Sequence, residues 1–115
     1  MRGRLGDRIR LMHILDAIME IESYLEHADL DAFLSNSMMR FASIKQLEII
    51  GEAGNHISQE TKDRFESVEW AQIVGMRNIF VHEYFGVDAS IVWQIIQHDL
   101  PELRSKIEKI ISTLE

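Results

Sequence analysis

The segment 77–84 places a permanent cation, a titratable imidazole and a phenol close together, as Arg77, His82 and Tyr84. A guanidinium can hold a phosphate through two parallel hydrogen bonds. An imidazole can accept or donate a proton near neutral pH. Together these groups could bind a phosphodiester and move the protons needed to cleave it, without a metal ion.

The residues around this segment are patterned as a buried helix, predicted from about Val68 to Phe85. Arg77 lies within the apolar stripe of that helix, which consists of Trp70, Ile73, Val74, Phe80 and Val81. Five positions on an α-helix rotate by about 140°, so Arg77 and His82 are expected on different faces, whereas Asn78 and His82 share one. One helix cannot easily direct both side chains at one atom, but two helices related by a dimer axis could line a shared cleft.

An arginine within an apolar stripe needs a partner, because a buried unpaired charge is rare. Glu48 and Glu52 are the candidate carboxylates, and a bound anion is the alternative. His82 lies near the predicted C-terminal end of its helix, where the helix dipole favours an imidazolium. A purely structural interpretation stays open: Arg77 as an ion-pair partner and His82 as a helix cap. The spacing alone does not decide, since Arg8 and His13 repeat it.

Metal and nucleophile chemistry find little support in the sequence. A di-iron bundle uses Glu three residues before His, and none of the five histidines has Glu at that position. Glu52 and His56 are one helical turn apart and could share a metal, although a solvated pair is the ordinary interpretation of this spacing. No glycine-rich phosphate loop is present. The sequence therefore predicts neither a metal nor a cofactor.

Composition indicates one globular domain covering residues 1–115. Hydrophobic residues make up 46% and charged residues 27%, as in ordinary soluble proteins. The chain contains no cysteine, which favours a reducing cytoplasm, and no apolar run approaches the roughly 18 residues of a membrane span. The net charge of −7 is unlike that of a general nucleic-acid coat protein, so RNA would need a local basic site.

Two long helices are predicted in the first half of the chain. The first runs from about Gly6 to His27, because apolar residues recur at helical spacing at Leu11, Ile14, Leu15, Ile18, Ile21 and Leu25. A break is expected at 29–31. The second runs from about Ser37 to Ile57 with one face formed by Met39, Ala42, Ile49, Ile50, Ala53 and Ile57, widened by Phe41, Ile44 and Leu47.

Shorter elements are predicted in the second half. Residues 59–65 read as a helical turn, and Gly86 suits the left-handed end of the helix that carries Arg77. Asp88 is a good N-cap for a helix over 89–98. Residues 99–102 read as a capping box with Pro101 in the first turn of a last helix. The fold class predicted is therefore all-α, an up-and-down bundle of four to five helices.

Five segments of the chain carry the most specific part of a resemblance to a known family: Gln46–Ala53, Trp70–Asn78, His82–Asp88, Ile91–Trp93 and Asp99–Pro101. The chain resembles the HepT-like toxins of the HEPN superfamily, over nearly its whole length from about Asp7 to Ile111. The repeat at Arg8 and His13 lacks all of these flanking residues.

The resemblance implies a homodimeric, metal-independent endoribonuclease in which the Arg-x4-His motifs of both protomers line the cleft. Arg77 and His82 would then be catalytic and Asn78 would support them. The RNA 2′-hydroxyl would attack the adjacent phosphate, His82 would move the proton, and Arg77 would stabilise the developing charge. The product would carry a 2′,3′-cyclic phosphate.

The resemblance also implies a partner, an MNT-type nucleotidyltransferase that acts as antitoxin in a type VII-like toxin–antitoxin pair. It would adenylylate Tyr84, placing a bulky, negatively charged AMP beside Arg77 and His82, where it would occupy the phosphate site and repel RNA. The alternative is a non-catalytic helical module that binds a nucleotide or the transferase, with Arg77 as an anion anchor. A third possibility is that this helix serves only a dimer interface.

Overall fold

A computed structural model describes residues 2–82 and 88–114, with side chains described outside 2–5, 76 and 78–82. Every regular element within these ranges is helical, which confirms the predicted all-α class. The elements are α1 (Arg2–Tyr24), α2 (Leu30–Ser35), α3 (Ser37–Asn55), α4 (Gln59–Arg64), α5 (Trp70–His82), α6 (Ala89–Gln94), a π-helical turn (Ile95–Asp99) and α7 (Leu100–Leu114). Among the described helices, none has both the length and the apolar character that crossing a membrane requires.

The core forms where α1 packs against α3 and α7, and α3 also packs against α5. The predicted apolar face of α1 is confirmed, since all of its members are buried except the half-buried Leu15. The α7 face joins the same core through Ile107, Ile110, Ile111 and Leu114. α3 is thus the central helix, which packs against both α1 and α5, and α5 contributes Trp70 and Ile73 to the same core.

A buried carboxylate joins the start of α1 to the start of α4. Asp7 is 2% exposed, and its Oδ1 accepts a hydrogen bond from the Ser58 amide at 2.8 Å. Its Oδ2 accepts from the hydroxyls of Ser58 and Thr61. Ser58 is also the N-cap of α4. Burial of this carboxyl group is tolerated because three protein donors replace the hydrogen bonds that it would otherwise make with water.

The first break in the chain lies earlier than the sequence suggests. α1 ends at Tyr24, not at His27, and His27 adopts a left-handed conformation with φ of 65°. The predicted break at 29–31 is only partly right, because Asp29 is non-helical but is the N-cap of the short helix α2, accepting from the Ala32 amide at 2.8 Å, and Leu30 and Asp31 are already helical. A left-handed residue ends a helix by redirecting the backbone, and the sequence gives little warning when that residue is not glycine.

The predicted start of α3 at Ser37 is confirmed, and Asn36 caps it by accepting from the Met39 amide at 3.0 Å. The predicted buried face is only partly right. Met39, Ala42 and Ile49 are half-buried, whereas the centre of the buried face consists of Ser43, Ile44, Leu47, Ile50, Gly51, Ala53 and Gly54. Small residues on this face admit a neighbouring helix closely, which hydrophobicity alone does not reveal.

The predicted N-cap at Asp88 is confirmed, since its side chain accepts from the Ser90 amide at 2.8 Å. The predicted capping box at 99–102 is wrong. Asp99 lies in the π-helical turn, Leu100 is already helical, and its amide donates to the Ile95 carbonyl five residues back. Pro101 lacks an amide donor and its ring crowds the carbonyl four residues earlier, and the wider turn relieves both constraints without ending the helix.

Candidate active site

The site begins at the crossing of α3 and α5, where two glycines allow the helices to approach closely. A Cβ atom added at Gly51 would lie 2.7 Å from Arg77 Cβ and 2.8 Å from Arg77 N. One added at Gly54 would lie 2.8 Å from Ile73 Cγ2. Separations below 3.0 Å between such atoms are not tolerated, so only glycine permits this packing. The backbone of Arg77 therefore rests directly on α3 at Gly51.

The guanidinium of Arg77 is held by the residue that follows this glycine. Arg77 Nη1 donates to Glu52 Oε2 at 3.0 Å, and the Arg77 side chain is 33% exposed. The other oxygen of the same carboxylate, Oε1, accepts from His56 Nε2 at 3.0 Å. Glu52 thus bridges a guanidinium and an imidazole at the surface of the α3–α5 crossing.

This bridging arrangement favours an ionised Glu52. The hydrogen bond from His56 lowers the pKa of the Glu52 carboxyl, and the positive charge of Arg77 lowers that pKa further. At neutral pH the cluster consequently combines one carboxylate with a permanent cation and an imidazole. Such a group can bind an anion through Arg77 and exchange a proton through His56.

The structure separates the two carboxylates that the sequence offered as partners of Arg77. Glu52 contacts the guanidinium, whereas Glu48 pairs with Lys45 on its own helix at 3.4 Å. The expectation that Arg77 meets a carboxylate is met by Glu52, one turn further along α3 than Glu48. Glu52 and His56, one helical turn apart, form a hydrogen-bonded pair in which both side chains are about half exposed, Glu52 54% and His56 51%.

The remaining predicted site residues divide between the described and undescribed parts of the chain. The backbones of Asn78 and His82 continue α5 without interruption from Arg77, so the three positions lie on one helix. The side chains of Asn78 and His82 lie outside the described side chains. Tyr84, together with the predicted helix end at Phe85 and Gly86, lies outside the described residues.

Sequence reasoning missed Gly51 and Gly54; it anticipated the solvated pair of Glu52 and His56, but not that Arg77 joins this pair. The first two carry a readable signal, because two glycines three positions apart on a helix form a small-residue surface that suits close helix contact. The structure also contains a cleft of about 450 Å³ between the start of α5, the π-helical turn and α7. Arg77 is not among the residues that line this cleft.

An all-α fold in which α5 presents a partly exposed arginine where it crosses the central helix α3 defines a class of protein that could bind phosphate groups at a helix crossing. Comparison with known families makes this class specific. The family model described as ribonuclease HepT-like matches residues 14–110. The chain belongs to the HepT-like ribonuclease family of the HEPN superfamily.

Individual relatives agree with this assignment. The chain is 37% identical over 98 residues to "Putative RNase MJ1380" of Methanocaldococcus jannaschii, which covers 85% of this chain and 90% of that protein. It is 36% identical over 100 residues to "Probable ribonuclease HepT" of Thermococcus cleftensis, covering 87% and 91% of the two chains. No solved structure matches the chain significantly.

Proposed function

We propose that this chain, as one domain over residues 1–115, is a metal-independent endoribonuclease and the toxin of a type VII-like toxin–antitoxin pair in the cytoplasm. Membership of the HepT-like ribonuclease family supports the ribonuclease class. The observation that carries the proposal for this site is the Arg77 guanidinium, held half-exposed at the α3–α5 crossing. Such a cation is suited to a phosphate, and a site that cleaves through the RNA 2′-hydroxyl needs no metal ion.

In the proposed mechanism the 2′-oxygen attacks the adjacent phosphorus, the bond from phosphorus to the 5′-oxygen breaks, and a 2′,3′-cyclic phosphate remains. His82 moves a proton in this exchange. Arg77 stabilises the negative charge that grows on the non-bridging oxygens, and Asn78 supports the phosphate. DNA is not a substrate because it lacks the attacking hydroxyl.

The proposal includes a homodimer, in which the α5 helices of two protomers line one cleft. Positions 77 and 82 are separated by about 140° around a helix, which is why a second copy is needed to complete the site. Exposed apolar side chains support self-association, with Met38 79% and Leu34 41% exposed around the start of α3. Light scattering on the purified protein gives the mass directly, and a monomer would exclude this part of the proposal.

Regulation is proposed through Tyr84, two residues beyond His82. An MNT-type nucleotidyltransferase would join the AMP of ATP to the phenol oxygen and release pyrophosphate. The added phosphate carries a negative charge next to the cation that binds RNA, so modification would silence the nuclease. Incubation with the transferase and ATP should add one AMP mass to the wild type and none to Tyr84→Phe.

A second candidate function is a non-catalytic module that binds a nucleotide or the transferase. The net charge of −7 favours this alternative, because an acidic surface repels RNA. In that case Arg77 would anchor an anion and would not take part in cleavage. Calorimetry with nucleotides and with the transferase would reveal such binding in a protein that cuts no RNA.

The deciding experiment compares RNA cleavage by unmodified wild type and His82→Ala in excess EDTA, with mass analysis of the product ends. Cleavage by the wild type alone, leaving 2′,3′-cyclic phosphates, would support the metal-independent nuclease. Equal inertness of both proteins, with intact mass showing an unmodified Tyr84, would exclude the nuclease and favour the binding module.

A further inference from the structure

We infer that Glu52 is a positioning residue, which fixes the Arg77 guanidinium in the orientation used for RNA cleavage. This inference rests on the proposed function and adds a residue on a different helix to the site. It starts from the ion pair between Arg77 Nη1 and Glu52 Oε2 at 3.0 Å. An exposed ion pair of this kind contributes little to the stability of the fold. Its main effect is to orient the guanidinium.

α3 holds Arg77 at both ends of its side chain. The backbone of Arg77 lies against Gly51, where even a single added carbon would come within 2.7 Å of Arg77 Cβ. The guanidinium is bound by Glu52, the next residue along α3. A long, flexible side chain whose two ends are both fixed has few rotamers left, so the guanidinium is oriented before RNA arrives.

The ion pair leaves most of the guanidinium available for a phosphate. A guanidinium has five N–H donors in a planar fork. The hydrogen bond from Arg77 to Glu52 uses a donor on Nη1. Glu52 therefore orients this cation and still leaves donors that can form a bidentate contact with phosphate oxygens. Orientation of this kind lowers the barrier of the chemical step because the donors need no rearrangement when charge develops.

His56 holds the far side of the same carboxylate. Its Nε2 donates to Glu52 Oε1 at 3.0 Å, so the carboxylate plane is fixed by one contact on each oxygen. The three residues form a chain in which His56 acts on Glu52 and Glu52 acts on Arg77. Loss of His56 should consequently produce the same defect as loss of Glu52, but a smaller one.

The chain offers a matched control for this inference. Glu22 on α1 binds Arg104 on α7, another exposed pair between two helices, with side-chain exposures of 42% and 35% against 54% and 33% for Glu52 and Arg77. Glu22→Ala removes the same group from a comparable exposed pair outside the site, and Arg104 keeps a second contact, with Glu108 on α7 at 3.6 Å. A general effect of lost ion pairing on stability would appear in both variants.

The test measures steady-state cleavage of one RNA by wild type, Arg77→Ala, Glu52→Ala, Glu52→Gln, His56→Ala and Glu22→Ala. We expect kcat to fall about 10- to 100-fold in Glu52→Ala with less than about a twofold change in KM, because orientation acts in the transition state. Glu52→Gln keeps an acceptor oxygen, so its kcat should lie between those of the wild type and Glu52→Ala. The kcat of His56→Ala should be about fivefold lower than that of the wild type. Glu22→Ala should match the wild type.

The outcomes separate this inference from the proposed nuclease function. An active wild type with inert Arg77→Ala, but with Glu52→Ala equal to wild type, would overturn the positioning role alone. A Glu52→Ala variant with raised kcat and lower KM would also overturn it, since Glu52 would then compete with RNA for Arg77. If neither the wild type nor any variant cleaved RNA, the proposed nuclease function would be excluded. A second measurement would then decide the positioning role.

That second measurement is nitrogen-15 NMR of the Arg77 side chain, which does not depend on activity. A guanidinium held by a carboxylate rotates slowly and gives a resolved, ordered signal. The signal should broaden or move in Glu52→Ala and stay unchanged in Glu22→Ala. An Arg77 signal that is identical in wild type and Glu52→Ala would overturn the positioning role whether or not the protein cleaves RNA.

Discussion

Glycines at two positions of α3 determine how closely α5 approaches, and thereby where Arg77 lies. Gly51 contacts the backbone of Arg77 itself, whereas Gly54 contacts Ile73 one turn earlier on α5. The site thus depends on residues that have no chemistry of their own. Their contribution is the absence of a side chain at the point of closest approach.

Gly51→Ala should destabilise the protein even though alanine favours helix formation by about 1 kcal/mol over glycine. The added methyl group would meet Arg77 Cβ at 2.7 Å and Arg77 N at 2.8 Å, so the helices must separate. We expect a net loss of about 1–3 kcal/mol in the free energy of unfolding, measured by urea denaturation.

Gly75→Ala provides the control on α5. No described atom lies within 4 Å of the position that its Cβ would take. The helix propensity then acts without a steric cost, and the free energy of unfolding should rise by up to about 1 kcal/mol. Equal changes in the two variants would contradict the close approach at Gly51.

The charge of Glu52 makes part of the stability depend on pH. His56 and Arg77 lower the pKa of this carboxyl in the folded protein below the ordinary value of 4.5. The contribution of the ionised Glu52 carboxylate to the free energy of unfolding is complete above the ordinary pKa. It is lost as the pH falls through the lowered folded-state pKa. The difference in unfolding free energy between wild type and Glu52→Gln should therefore narrow on acidification, measured by urea denaturation across the acid range. A difference that widens would show that the folded-state pKa is raised.

At the scale of elements, Asp7 links α1 to α4 across more than fifty residues of chain. Its carboxylate accepts hydrogen bonds from the Ser58 amide and from the hydroxyls of Ser58 and Thr61. Asp7→Ala would leave these donors, on the half-buried Ser58 and the buried Thr61, without their acceptor. We expect a loss of about 2–4 kcal/mol in the free energy of unfolding, measured by thermal or urea denaturation.

Asp29→Ala is the matched control, because Asp29 also accepts from a helix amide but is exposed. Its loss should cost about 1 kcal/mol, the usual effect of removing an N-cap. If the two variants were equally stable, burial of the Asp7 carboxylate would have no energetic weight. The comparison therefore isolates the effect of burial from the effect of capping.

The elements differ in how far the sequence could predict them. Helix starts with a capping residue, such as Asn36 before α3 and Asp88 before α6, are set by local hydrogen bonds and were predictable. The end of α1 depends on a left-handed His27, and the continuity past Pro101 depends on a π-helical turn. Both are choices of backbone conformation that residue type only weakly specifies.

The candidate site shows the same division. Helical spacing identified Arg77 as an arginine in need of a carboxylate or a bound anion, with Glu48 and Glu52 as the candidate carboxylates. The choice of Glu52 follows from the register of α5 on α3, which Gly51 and Gly54 set through tertiary contact. Registers between helices distant in sequence cannot be obtained from the periodicity of either helix alone.

At the scale of the whole molecule, the charge of −7 limits how RNA can be held. Affinity from counterion release grows with the number of phosphates neutralised, and a mostly acidic surface offers few contacts. We expect a plot of log affinity against log salt concentration to have a shallow slope of about −1 to −2, measured by fluorescence anisotropy with an uncleavable RNA.

Arg77→Ala should reduce the magnitude of that slope by about 1, the change that follows from losing one phosphate contact. Arg64→Ala, at an exposed position at the end of α4, should leave the slope unchanged. A steep slope in the wild type that neither variant affects would mean that RNA is held by a separate basic surface.

The π-helical turn at Ile95–Asp99 fixes the number of residues that connect α6 to α7. A π-helical turn accommodates one residue more than the α-helical turn that it replaces. Deleting any one of these five residues would restore α-helical spacing and rotate α7 by about 100° relative to α6. Ile107 and Ile110, which are 0% and 3% exposed, would then turn away from α1. A substitution at an exposed residue of this turn therefore leaves the packing of α7 intact, whereas a change in the length of the turn would have to be matched by a new buried face on α7.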